Sequence, residues 1–141
     1  MSKIAVVYWS GTGNTEAMAA AVTQGARSAG ADVDMLTAAE FDAAKVEQYD
    51  AIAFGCPAMG EETLEEEVFA PMFESCQGAL AGKKLALFGS YGWGEGDWMK
   101  KWEEQCAQCG AALACDSVIC MGEPDGETLE ACNRLGSVIA Q

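Results

Sequence analysis

Ser10-Gly-Thr-Gly-Asn-Thr15 lies between an apolar run, Ile4-Ala-Val-Val-Tyr-Trp9, and an Ala-rich stretch, Glu16 to Ala29. The order is strand, tight polar turn, helix. The turn carries three hydroxyls (Ser10, Thr12, Thr15), one amide (Asn14) and two glycines (Gly11, Gly13). Glycine lets a backbone turn sharply and bring its N–H groups close to an anion. The following helix points its partly positive N-terminus at the same spot. Two readings follow: a phosphate cradle, or an ordinary polar turn in which a Ser or Thr caps the helix.

The loop departs from two familiar phosphate motifs. A nucleotide-hydrolysing P-loop ends in Gly-Lys-Ser/Thr, and here no lysine stands in or after the turn before Asp32. A dinucleotide fingerprint has a third glycine where this chain has Glu16. Neutral donors with no lysine suit a terminal phosphate held as an anchor, not as a reacting group.

Composition narrows the class. The 141 residues suit one domain, and half of them are hydrophobic, enough for a packed core. No apolar run approaches the roughly 20 residues of a membrane helix. The apolar run near the start is too short for a secretory signal, so a soluble, cytoplasmic protein is expected. The net charge of −14 disfavours nucleic acid and anionic membranes and favours partners with a basic face. The absence of histidine removes Ser–His and Cys–His nucleophile pairs and imidazole metal sites. Seven cysteines, an odd number, argue against a disulfide framework. Cys106-x-x-Cys109 with Cys115 and Cys120 does not fit the usual zinc or iron–sulfur spacings, so free thiols are expected and no metal.

Strand and helix patterns alternate along the chain. Strands are expected at Ile4–Trp9, Asp32–Leu36, Ala51–Cys56, Lys84–Gly89 and Ala112–Cys120. Helices are expected at Asn14–Ala29, Ala38–Gln48, Leu64–Gly78, Asp97–Gln108 and Glu127–Ala140. Five strand–helix repeats give an α/β three-layer sandwich. It has a five-stranded parallel sheet with helices on both faces, for which 2-1-3-4-5 is a common order. Ligands of such sheets bind beyond the carboxyl ends of the strands, where the winding reverses. The loops after strands one, three and four converge there: Ser10–Thr15, Ala58-Met-Gly-Glu-Glu-Thr63, and Ser90-Tyr-Gly-Trp-Gly-Glu-Gly-Asp97.

Those loops offer a phosphate cradle, a flexible thioether (Met59) and a large flat ring (Trp93) set among glycines. A flat heteroaromatic ligand sandwiches well between a methionine and an aromatic ring. A phosphate joined by a short polar chain to a flat ring describes FMN. Each residue also has a plainer reading. Trp93 and Tyr91 could lid the core, Met59 could fill a surface gap, and the run Glu61, Glu62, Glu65, Glu66, Glu67 could be a solvated helix start. Trp9 and Trp98 are read mainly as packing.

The motifs Tyr8-Trp-Ser-Gly-Thr-Gly-Asn-Thr15, Gly55-Cys-Pro-Ala-Met-Gly60 and Leu87-Phe-Gly-Ser-Tyr-Gly-Trp-Gly94 resemble those of the short-chain flavodoxins, over essentially the whole length. Flavodoxin is itself the standard example of the 2-1-3-4-5 order with FMN at the switch point, so that placement is borrowed from the family. The resemblance implies a low-potential one-electron carrier cycling mainly between semiquinone and hydroquinone. It implies that Ser10, Gly11, Thr12, Gly13, Asn14 and Thr15 hold the phosphate, with Ser90 at the phosphate or ribityl end. Trp93 would stack on one face of the isoalloxazine, Met59 on the other, with Ala58, Tyr91 and Gly92 around them. Glu62 would accept from flavin N3–H, and the Gly60–Glu61 carbonyl would turn toward N5–H on reduction. Glu61 stands where relatives more often carry Asp or a small residue. Pro57 lacks the hydroxyl some relatives place near the phosphate.

A monomer is expected, exchanging electrons with basic-faced reductase-type donors and low-potential acceptors. Two rivals share the fold. An FMN-dependent NAD(P)H reductase would want more chain and an arginine cluster. A phospho-accepting receiver domain would want acidic residues where Trp9-Ser10 and Cys56-Pro57 stand.

Overall fold

The computed structural model of the chain describes residues 3–11, 13–58, 64–92 and 96–140. Strand β1 (Lys3–Tyr8) leads through the polar turn to helix α1 (Asn14–Ser28), then to β2 (Asp32–Thr37). A 3₁₀ turn (Ala38–Glu40) and the short α2 (Ala43–Val46) connect to β3 (Ala51–Gly55). Then follow α3 (Phe69–Cys76), β4 (Lys84–Tyr91), α4 (Asp97–Gln108), β5 (Ala112–Leu113), β6 (Val118–Met121) and α5 (Gly126–Ile139). The sheet is parallel in the order β2-β1-β3-β4-β5, with β6 also paired to β4.

The central strands are buried on both faces, which their unbroken apolar sequences require. In β1, Ala5 and Val7 enter one core while Ile4, Val6 and Tyr8 enter the other. The first core is aromatic: Phe54 and Trp102 each meet Phe69 and Phe73 edge to face, with ring centres 5.3–6.3 Å apart, and Phe69 and Phe73 lie nearly parallel. Such pairs add about 0.5–1.5 kcal/mol each beyond the burial of their surface. The second core lies under α1 and α5. These helices approach so closely that a Cβ on Gly25 would stand 1.9 Å from the Asn133 carbonyl oxygen, and one on Gly136 2.0 Å from that of Val22.

Three boundaries differ from the sequence reading, each for a local reason. The helix expected from Leu64 begins at Phe69. Pro71 has no N–H and its ring collides with a carbonyl four residues back, so it fits only the first turn of a helix. The connection expected as one helix over 38–48 is split by two caps. Glu40 accepts from the Thr37 N–H at 2.9 Å, and Asp42 accepts from the Lys45 N–H at 3.2 Å. The fifth strand expected over 112–120 is two pieces. Leu85 pairs with Leu113 and Phe88 with Val118, so Ala86 and Leu87 stand opposite four residues, 114–117. The surplus bulges out, pinned by the Ser117 hydroxyl donating to Glu103 at 2.7 Å.

The sheet also separates the cysteines. Cys56, Cys76, Cys106 and Cys109 lie with one core; Cys115, Cys120 and Cys132 lie with the other. All seven are free thiols. Burial pushes Cys56, Cys106 and Cys132 up to about 12, which leaves them neutral and weakly reactive. Among the described residues no group of three or more potential ligands is placed to hold a metal ion, and no helix is long and apolar enough to cross a membrane.

Candidate functional site at the carboxyl rim of the sheet

Strands β1, β3 and β4 end on one rim, and hydrogen bonds between their last residues fix the loops that leave them. The Trp9 N–H donates to the Gly55 carbonyl at 3.0 Å. The Cys56 N–H donates to the Phe88 carbonyl at 3.2 Å, and the Ala58 N–H to that of Ser90 at 2.9 Å. Trp98, buried beneath the rim, donates its indole N–H to the Cys56 carbonyl at 3.3 Å. Its ring supports Tyr91, with centres 5.4 Å apart.

The turn after β1 is closed by its own side chain: Ser10 Oγ accepts the Gly13 N–H at 3.0 Å. Gly13 sits at φ +95°, a left-handed conformation that favours glycine. It is the N-cap of α1 and supplies no side-chain cap. Among the described residues no side chain caps the opening amides of the helix; Thr12, another hydroxyl of the turn, lies outside them. Thr15 Oγ1 and Ser90 Oγ, both buried, lie 3.4 Å apart. Glu16 accepts from the Tyr8 hydroxyl at 3.2 Å. Burial first, and then this contact with Glu16, raise the Tyr8 pKa and keep the phenol neutral.

A cavity of about 230 Å³ opens on this rim, lined by Trp9, Gly11, Asn14, Pro57, Ala58, Ser90, Tyr91, Gly92 and Gly122. Its described lining carries no ionisable group except the Tyr91 phenol. A second cavity, of about 460 Å³, shares Trp9 and Gly11 and runs past Ser10 and Gly13 to Glu16 and Thr37. The structure thus gathers Ser10, Gly11, Gly13, Asn14, Thr15, Ala58, Ser90, Tyr91 and Gly92 on one rim. Thr12, Met59, Gly60, Glu61, Glu62 and Trp93 lie outside the described residues.

Sequence reasoning missed three contributors. Trp9 packs against the first core, as expected, and also lines both cavities. Pro57 and Gly122 also line the smaller one. Gly122 arrives because β6 pairs with the end of β4, and its N–H donates to the Tyr91 carbonyl at 2.8 Å. The signal was available: Gly122-Glu-Pro-Asp-Gly126 follows the last strand and so must leave from the same rim.

Glu65 also differs from expectation. It is 5% exposed, not part of a solvated run. Its carboxylate accepts the N–H groups of Glu67, Val68 and Phe69, each at 2.8 Å. Burial alone would raise its pKa, but these three bonds hold it below the usual carboxylate value.

The donor set fits FMN at both ends. A helix start with hydroxyls beside it, and with no side-chain cap among the described residues, matches a phosphate. The adjoining cavity with glycine, alanine and aromatic walls matches a flat ring system.

Comparison with known proteins agrees with that chemistry. The flavodoxin family profile matches residues 6–136. The chain is 42% identical over 135 residues to the flavodoxin of Clostridium beijerinckii, covering 96% of this chain and 97% of the relative. It is 41% identical over 138 residues to that of Megasphaera elsdenii, covering 98% of each. The solution structure of two-electron reduced Megasphaera elsdenii flavodoxin superposes with a TM-score of 0.89 at 42% identity, over 97% of this chain and 98% of that one. The coenzyme F420H2 oxidase of Methanothermobacter marburgensis is 30% identical over 146 residues, which span 98% of this chain but 35% of the oxidase.

Proposed function

The chain belongs to the flavodoxin family of FMN-binding electron carriers, and on that premise we propose that it is a low-potential shuttle passing single electrons between basic-faced redox proteins. The cofactor-binding unit takes in the whole chain, 1–141. The observation that carries the assignment of residues is the convergence, on one rim, of a helix start whose N-cap is Gly13, the Thr15–Ser90 hydroxyl pair and a cavity with no charged group in its described lining.

Bound FMN accepts and releases electrons one at a time. The protein's part is to grip, orient and shield. Ser10 keeps the turn closed by accepting the Gly13 N–H, so the first amides of α1 present a fixed set of donors to the phosphate. Thr12, Asn14, Thr15 and Ser90 add side-chain donors. Gly11 and Gly13 let the backbone approach. Ala58, Tyr91 and Gly92 wall the ring end, with Trp9, Pro57 and Gly122 completing it. Met59 and Trp93 would flank the ring, Glu62 would accept a hydrogen bond from its imide N–H, and the Gly60–Glu61 carbonyl would be an acceptor for the ring once it is reduced.

Several carboxylates, together with stacking on Trp93, would push the second potential low. One unit charge about 10 Å away changes the energy of an added negative charge by roughly 0.4 kcal/mol at water-like screening. At about 59 mV per 1.36 kcal/mol that is roughly 20 mV for a one-electron couple. Glu61, Glu62 and Glu95 would contribute in this way. Glu65 contributes less than its formal charge suggests, because its carboxylate is satisfied by the start of α3.

The net charge of −14 supports the basic-faced partners. The proposed setting is the cytoplasm, consistent with seven free thiols, and the proposed state is a monomer. The carrier reading differs from that of an NAD(P)H reductase in one experiment. NADPH added alone to the FMN-loaded protein leaves its absorption unchanged for a carrier and bleaches it for a reductase.

A further inference from the structure

Among the described residues, three of the four large hydrophobic side chains left exposed, Leu113, Ile119 and Met121, lie on β5 and β6, and Met121 is 61% exposed. Strand β6 pairs with β4, from Val118 opposite Phe88 to Met121 opposite Tyr91, and no described strand lies on its other side. Val118 and Cys120 pack against the second core, which leaves Ile119 and Met121 on the opposite face. The backbone polar groups alternate as well. The Gly122 N–H donates to the Tyr91 carbonyl at 2.8 Å, so Gly122, and Cys120 two residues before it, face β4. Ile119 and Met121 therefore turn their N–H and C=O groups to the open edge. An unpaired edge with apolar side chains is a template for another strand.

Charge decides what that edge can take. Exposed Asp116 precedes the strand, and exposed Glu123 and Asp125 follow it. No Lys or Arg occurs between Lys101 and Arg134. A second copy of β6 laid antiparallel about the strand centre would set Asp116 opposite Glu123. Laid parallel and in register, it would set each acid against its own copy. Like charges directly opposite are destabilising. We propose that the outer edge of β6 takes an added strand from the redox partner, an extended segment with apolar residues at its centre and Lys or Arg at both ends. Main-chain bonds to Ile119 and Met121 supply affinity, and the flanking charges select the partner. The added strand lies beside the cofactor cavity, because Tyr91, opposite Met121, and Gly122, next to it, both line that cavity. The inference rests on the reading that the partners are basic-faced.

The probe is a synthetic peptide of alternating valine and threonine with two lysines at each end, added to the FMN-loaded protein at low salt. A control peptide carries glutamates in place of the lysines. Amide exchange is followed residue by residue by NMR. The lysine peptide is expected to bind saturably and to slow exchange at Ile119 and Met121 at least about fivefold, with Cys120, already bonded to β4, changing less than about twofold. The glutamate peptide is expected not to bind. Met121→Pro removes one outward donor and leaves the bonds to β4 in place, so it is expected to weaken the lysine peptide about fivefold to tenfold. Asp116→Asn combined with Glu123→Gln is expected to weaken it about twofold to tenfold. Equal binding of the two peptides overturns the proposal, as does full affinity in Met121→Pro. If Met121→Pro does not fold, the combined Asp116→Asn and Glu123→Gln variant decides. A lysine peptide that binds without slowing those two amides overturns the edge and spares the basic-partner reading, whereas no binding anywhere overturns both. Protection of Ile119 and Met121 that grows with protein concentration in the absence of peptide marks a second copy on the edge and overturns the proposal.

Discussion

Thr15 Oγ1 lies 3.4 Å from Ser90 Oγ, although the two residues are 75 positions apart. One stands in the first turn of α1 and the other near the end of β4, and both are buried. The contact joins the first and third loops of the rim under the start of the helix.

Thr15→Val keeps the shape of the side chain and removes its hydroxyl. A hydrogen bond to a charged group is worth about 1.5–3 kcal/mol. FMN affinity is expected to fall about tenfold to a hundredfold, with riboflavin affinity nearly unchanged. Parallel fluorescence titrations with the two flavins check this. An equal loss for both would place Thr15 away from the phosphate.

The ring end is probed at Trp93 and Gly60. Trp93→Ala is expected to weaken FMN and raise the potential for adding the second electron. Gly60→Val is expected to reduce the half-reduced form that accumulates in a spectroscopic titration, because valine resists the positive φ that glycine adopts freely. If Trp93→Ala shifts neither quantity, Trp93 does not stack on the ring. If half-reduced flavin is undiminished in Gly60→Val, the peptide-turning role is refuted.

Glu65 makes stability depend on pH. Its folded-state pKa lies below the ordinary value of 4.5, so ionised Glu65 favours the folded chain. That contribution is complete above the unfolded-state pKa and is lost as pH falls through the folded one. Glu65→Gln is therefore expected to lower the denaturation midpoint at neutral pH, with the gap from wild type narrowing as the solution is taken below about pH 4. Urea melts across that range decide it; a constant gap contradicts the assignment.

Gly136→Ala tests the packing behind the site. Its new Cβ would stand 2.0 Å from the Val22 carbonyl oxygen, in backbone that a rotamer change cannot move. Overpacking of this kind costs about 1–3 kcal/mol. Thermal unfolding should show a clear drop in Tm, and an unchanged Tm would mean that α1 and α5 are farther apart than described.

Much of the fold was legible because the strongest signals are local. Ile4–Trp9, Ala51–Cys56 and the Leu85–Phe88 centre of the fourth strand are continuous apolar runs, as strands covered on both faces require. The glycines and hydroxyls of Ser10–Thr15 announce a strand-to-helix turn, and the turn joins β1 to α1. What was misread depended on partners distant in sequence, or on a clue passed over. The late start of α3 was written in Pro71. The break in the fifth strand was hinted at by polar Asp116-Ser117, but its cause is the contact of Ser117 with Glu103 on α4. Gly122 joins the rim only through the pairing of β6 with β4. Glu65 looks like its acidic neighbours until three amides are seen to surround it.

One FMN is expected to bind at the rim by way of Ser10–Thr15, Ala58–Glu62 and Ser90–Trp93. Titration of the flavin-free protein with FMN, followed by flavin fluorescence, is expected to show quenching that saturates at one FMN per chain, with competition from inorganic phosphate. Fluorescence that rises in simple proportion to added FMN, with a correctly folded protein in the cell, would contradict it.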